Sequence, residues 1–169
     1  NTTAFNLAFA SNDMPLGTVI AVLPPVGGLS SASGVVDATG TATGTYDDVS
    51  SYAINFNGTS TDTVINDQTF GTVTFKGTTT DQVLNAEMVV MLAGNPQPIT
   101  ATLNFGNPNM PFAVRSDFNQ SPLGPFFALV PRFKDINMGG VGTGTIRFGG
   151  NLSHVDQNGV RFYSTENLI

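Results

Sequence analysis

Alternation of apolar and polar residues restricts the fold of this chain more than any other feature of its sequence. A period of two lines the opposite faces of an extended strand, whereas helical faces recur about every 3.6 residues. From Thr3 to Phe9 the pattern sets Phe5, Leu7 and Phe9 on one side and Ala4, Asn6 and Ala8 on the other. Ser50 to Asn57 repeats it with Tyr52, Ile54 and Phe56, and Thr69 to Lys76 with Val73 and Phe75. Pro98 to Phe105 alternates Ile99, Ala101, Leu103 and Phe105 with Thr100, Thr102 and Asn104. Phe112 to Phe118 and Thr143 to Phe148 follow the same rule.

Other segments read less directly. Val83 to Leu92 contains helix formers, but Val89-Val90 and the following Gly94-Asn95-Pro96 suit a strand and turn. Met88, Val90 and Leu92 then face inward, and Glu87 faces out with Val89 and Met91. Gly17 to Leu23 is an apolar run of strand length that stops at Pro24-Pro25, and Gly159 to Tyr163 completes a terminal hairpin. Phe126 to Phe133 is apolar but crowded by Pro122, Pro125 and Pro131, which fits an edge strand or packed loop. Val26 to Gly44, rich in Gly, Ser, Ala and Thr, reads as a long loop with one weak strand, and Asn57-Gly58 as a turn. No linker or repeat divides the chain. The expectation is one all-β domain over residues 1–169. It has about ten strands in an antiparallel β-sandwich of jelly-roll type, with a closed β-barrel as the alternative.

Composition narrows the setting. Charged residues make up 11% of the chain, against about 25% in ordinary soluble domains. Thr, Ser, Asn and Gly take their place on the surface, which suits an extracellular or cell-surface protein. The net charge of −6 and six scattered basic residues give no patch for phosphates, so nucleic acid is not an expected partner. No apolar run approaches the roughly 20 residues of a membrane-spanning helix. The chain opens on Asn1 rather than Met, so a missing leader carries no information.

Chemistry-bearing residues are sparse. Cysteine is absent and His154 is the only histidine, which leaves no thiol or imidazole cluster for zinc. Ser153 and Asp156 flank His154, but adjacent strand residues point to opposite faces and cannot form a relay. Glu87 and Glu166 are the only glutamates and would be the first suspects in a carboxylate-dependent hydrolase. Without Trp, and with three Tyr, the chain has few platforms for sugar rings. Asp47 and Asp48 form the best oxygen cluster for calcium, with Asp62 and Asp67 near a second turn, but no calcium-loop spacing is present. Gly139 to Gly144 lacks the lysine of a phosphate loop and reads as a hairpin or bulge. Lys76 is the better-placed lysine for an isopeptide bond to an asparagine. Sequons at Asn1, Asn57, Asn119 and Asn151 occur about as often as chance supplies them. No catalytic residue, cofactor or metal is expected beyond the weak calcium candidates.

The first strand is the most suggestive element. Phe5, Leu7 and Phe9 arrive with almost no polar lead-in, and a terminal strand this apolar has to be covered. Residues 1–11 are therefore expected as a strand exchanged with or donated to a neighbouring copy, hinged at Asn12 to Pro15. The leading functional expectation is a structural subunit of an extracellular filament, surface layer or coat, a homopolymer held by strand complementation. A monomeric secreted or cell-surface binding or adhesion domain is the alternative, with its ligand at Val26 to Gly44 or Asn107 to Pro125. A carboxylate-dependent hydrolase is the third.

Overall fold

A computed structural model of the chain describes residues 3–21, 31–92, 94–124, 139–152, 155–156 and 159–160. They form an all-β structure. In chain order the elements are β1 (Ala4–Pro15), α1 (Leu16–Ala21), β2 (Ala32–Thr45), β3 (Asp48–Ile65) and β4 (Gln68–Thr80). There follow β5 (Val83–Leu92), β6 (Asn95–Asn104), β7 (Pro111–Pro122), β8 (Val141–Asn151), β9 (Val155–Asp156) and β10 (Gly159–Val160).

Strands β1 to β8 make one antiparallel sheet in sequence order, and β9 pairs with β10 in a separate ribbon. The described residues thus build one open sheet, where the sequence suggested two facing ones. Connection length explains this. Only two residues separate β2 from β3, β3 from β4, β4 from β5 and β5 from β6. Such loops can join only adjacent antiparallel strands, so β2 to β6 have no opportunity to cross to a second sheet. At Asn66-Asp67 (φ 48° and 65°) and Asp81-Gln82 (φ 50° and 65°) both turn residues are left-handed, the conformation of a type I′ turn.

Three readings of the sequence are corrected. Gly17 to Leu23 was expected as a strand, yet Leu16–Ala21 is helical, because a short apolar run carries no decisive period. Val26 to Gly44 was expected as a long loop with one weak strand, yet Ala32–Thr45 is a full 14-residue strand. Asn57-Gly58 was expected as a turn but lies inside β3. The last two share one cause. The small residues of β2 and β3 lie beneath aromatic rings of adjacent strands, so they pack without carrying bulk themselves. Phe126 to Phe133, Ser153, His154 and Glu166 lie outside the described residues, as does Tyr163 at the end of the expected final strand.

Register shifts interrupt β1 between Ser11 and Met14, β3 between Ser60 and Thr63, and β7 between Phe118 and Ser121. Each contains a left-handed residue, namely Asp13, Asp62 and Gln120. Bulges bend and twist a strand. All three fall toward the same end of the sheet, where Phe70, Val73, Val90 and Leu92 form the buried core with Ile65 and Ile99 against them.

Candidate functional site

The register divides the sheet into two chemically distinct faces. One cross-strand row runs Phe9, Gly40, Phe56, Gly77, Ala86, Ala101, Val114, Phe148 from β1 to β8. Rows beside it on this face carry Leu7, Ile54, Leu84 and Leu103, then Phe75, Met88, Ile99 and Ile146. The neighbouring row on the opposite face reads Ala10, Thr39, Asn57, Lys76, Glu87, Thr100, Arg115, Arg147. The sheet is apolar on one side, and polar but nearly charge-balanced on the other.

Aromatic–glycine pairing organises the apolar face. Phe5 lies opposite Gly44, Phe9 opposite Gly40, Phe56 opposite Gly77 and Phe75 opposite Gly58. Phe112 opposes Gly150, and Phe118 opposes Gly144. A methyl group on Gly40, Gly58 or Gly77 would stand 2.5 Å from the ring of Phe9, Phe75 or Phe56 respectively. The rings therefore lie flat over the glycine backbone and cover it, which offsets the weakness of glycine in a strand. Phe5 also meets Tyr52 edge-on at 5.4 Å, and Phe56 meets Phe75 at 6.3 Å.

Covering stops at the two margins. Strands β1 and β8 end the sheet, and neither has a second strand neighbour among the described residues. Leu7 and Phe9 are 59% and 50% exposed on β1, while Ile146 and Phe148 are 43% and 54% exposed on β8. All four stand on the apolar face. Of the residues singled out from sequence, Leu7 and Phe9 thus lie at an open edge, and Phe5 turns toward Tyr52. The partner edge at Ile146 and Phe148 was missed as a site. Its signal was the alternation of Thr143 to Phe148, visible as a strand but not as an edge.

The polar face holds the remaining candidates. Lys76 and Glu87 are directly opposed on β4 and β5 and form an exposed ion pair of 2.8 Å. They sit in a shallow trough of about 570 Å³, with Thr39, Asn57, Thr59 and Thr74 around them. Glu87 is thereby matched by a cation rather than by a second acid. On β7, Arg115 holds Asp117 in a two-point pair, Nε to Oδ2 at 2.7 Å and Nη2 to Oδ1 at 2.9 Å. Thr145 donates a further hydrogen bond to Asp117 Oδ1 at 2.5 Å. The Arg115 bonds first, then that of Thr145, hold the Asp117 carboxyl below its usual range, and nearby Arg147 adds to the effect.

Asp47 and Asp48 lie at the β2–β3 turn. The Asp48 carboxylate accepts hydrogen bonds from the Ser50 amide at 3.1 Å and the Ser50 hydroxyl at 2.5 Å. That carboxylate closes the turn. Asp62 stands at the β3 bulge and Asp67 in the next turn. Among the described residues no three His, Cys, Asp or Glu side chains converge on a point able to hold a cation. Likewise, among the described residues no helix is long and apolar enough to cross a membrane.

A second hollow, about 270 Å³, opens on the apolar face beside the core. Phe70, Val73, Met88, Val90 and Leu92 form much of its wall, and Gln97 of β6 lies in the same wall. Comparison with protein-family models, with curated proteins and with solved structures finds no match. The functional reading rests on the two faces and their margins.

Proposed function

We propose that this chain is a structural subunit of an extracellular assembly, such as a filament, surface layer or coat. In it the β1 edge of one copy adds to the β8 edge of the next. One observation carries the reading: both edge strands are unpaired among the described residues and expose large apolar side chains on the same face. An edge presents a row of free N–H and C=O groups, and proteins that stay apart blunt it with Lys, Pro or inward charge. Strand β1 has 12 residues without Lys or Arg, and its one proline, Pro15, stands at its end. The only basic residue of β8, Arg147, lies on the polar face.

Direction and chemistry both fit head-to-tail addition. In an eight-stranded meander the first and last strands run antiparallel, so β8 of one copy meets β1 of the next in ordinary antiparallel geometry. Phe9 and Phe148 occupy the same row, so an in-row junction continues the apolar face from copy to copy. Because the two joined edges differ, the contact is heterologous and passes from copy to copy, giving a filament where the rotation between copies does not close a ring. The charge-poor surface of Thr, Ser and Asn supports an extracellular setting.

Negative-stain microscopy and sedimentation of the native chain beside Phe9→Lys test the proposal. The lysine sets a charge on the apolar side of the edge; because the Phe9 ring also covers Gly40 of β2, the variant's folding is checked beside the native chain by circular dichroism. Filaments or arrays from the native chain and dispersed particles from the variant are expected. A native chain that stays monomeric at high concentration would overturn the reading.

A further inference from the structure

One row of the polar face brings together an amine, a carboxamide and a carboxylate. Lys76 of β4 is flanked by its two cross-strand partners, Asn57 on β3 and Glu87 on β5. Its Nζ lies 2.8 Å from Glu87 Oε2. Asn57, Lys76 and Glu87 all line the trough of about 570 Å³ on this face. The β-carbons of directly opposed residues are about 5 Å apart, a gap that the flexible four-carbon stem of a lysine spans. Two other asparagines stand near Lys76 in register. Asn55 and Asn85, opposite Thr78, are its diagonal neighbours, at about 7–8 Å, and Asn85 already donates to the Val83 carbonyl at 3.1 Å. Asn57 is the carboxamide that the register sets directly opposite the amine.

We propose that Lys76 and Asn57 join in an isopeptide bond, with Glu87 carrying the proton. Lys76 reacts after its ammonium has given one proton to water. The neutral Nζ attacks Asn57 Cγ and forms the new C–N bond. Glu87 takes a proton from the attacking nitrogen and passes it to the Asn57 amide nitrogen. The old C–N bond then breaks, ammonia leaves, and Glu87 is again a carboxylate. An amine and a primary amide become a secondary amide and ammonia, with no oxidant, reductant or co-reactant. Proximity supplies the drive, because strand pairing holds amine and amide in one row and makes their encounter intramolecular. The 2.8 Å contact puts Glu87 within proton-transfer distance of Nζ. The bond ties β3 to β4 in a chain that has no cysteine for a disulfide. It is independent of strand-mediated assembly, since it lies on the polar face of interior strands.

Intact-mass spectrometry with peptide mapping tests this, after incubation in mildly alkaline buffer to raise the share of neutral amine. The native chain is expected to lose one ammonia, and the map to show one branched peptide joining Asn57 to Lys76. Glu87→Gln should form the bond about a hundredfold more slowly, the loss usual for a positioned proton carrier. Lys76→Arg should keep its full mass. That control separates the isopeptide from cyclisation of Asn57 onto the Gly58 amide, which also releases ammonia. Lys76 and Glu87 side chains are 66% and 59% exposed, so both replacements leave the core intact. A native chain of full mass would overturn the proposal, as would ammonia loss that persists in Lys76→Arg. A branch at another asparagine, or an undiminished rate in Glu87→Gln, would equally defeat it. The native result stands whether or not a variant folds. Phe9→Lys is expected to show the same ammonia loss, which separates this bond from the edge contact.

Discussion

Glycine in these strands serves as a seat for the aromatic ring beside it. Gly77 shows the mechanism at one residue: the Phe56 ring occupies the space a β-carbon would need, at 2.5 Å. Gly77→Ala should therefore destabilise the fold by about 1–3 kcal/mol, the usual cost of overpacking, read as a lower urea midpoint at constant slope. In a Phe56→Leu background the same substitution should cost less, since the clash is with the ring. A simple loss of backbone freedom would cost the same in both. Asp117 offers a second test on the polar face. Arg115 and Arg147 are directly opposed on β7 and β8, and like charges in that position repel. Asp117 bonds Arg115 and lies close enough to Arg147 for each to lower its pKa. A carboxyl held below its ordinary value of 3.8 contributes stability that is present above that value. The contribution is lost as pH falls through the lowered one. The native chain should thus exceed Asp117→Asn in stability at neutral pH, with the gap closing below pH 3.8 in parallel thermal melts. A gap that persists at lower pH would show that the carboxylate charge is not its source.

At the level of elements, turn chemistry and ring packing divide the work of setting register. Asn66-Asp67 joins β3 to β4 with both residues left-handed, a conformation that costs any residue with a β-carbon. Asp67→Gly keeps the favourable Asn-Gly order and should raise stability by a few tenths to about 1 kcal/mol, seen as a higher urea midpoint. A fall would mean that the Asp67 side chain supports the turn. The same division explains what could be read from the sequence. Val83–Leu92 was recovered to the residue, with Val90 and Leu92 buried and Glu87 outward, because the β-branched pair Val89-Val90 and the turn residues after it mark a strand. Strand β2 read only as weak because its inward positions are Ala38, Gly40, Ala42 and Gly44, whose bulk is supplied by Phe5, Phe9, Phe56 and Tyr52 on adjacent strands. Periodicity measures what a strand carries and not what lies over it. The candidate site was half legible for a related reason. Phe5, Leu7 and Phe9 stood out, but the exposure of Ile146 and Phe148 depends on β8 being last in the sheet.

For the molecule as a whole, the deciding question is where the β1 edge finds its partner. Closing an eight-stranded meander on itself requires tilted strands and a staggered register, whereas addition of a second copy lets the rows run straight on. In the second arrangement β1 runs beside β8 of another copy, and Ala10 and Arg147, which lie in one row of the polar face, come together. The chain has no cysteine, so Ala10→Cys with Arg147→Cys introduces the only two thiols. Treatment of this variant with a short bifunctional maleimide, followed by denaturing electrophoresis, reports the connectivity directly. Head-to-tail addition predicts a ladder of covalent multimers that collapses to dimers when singly substituted chains are mixed in equal parts. Self-closure predicts no ladder, since the stagger of a closed sheet moves Ala10 out of row with Arg147. Dilution sharpens the distinction, because a link between copies weakens with concentration and a link within one chain does not. A ladder that fades on dilution, together with dispersal of the Phe9→Lys chain, would establish the edge contact as the bond of the assembly. Absence of a ladder at every concentration would overturn the edge contact.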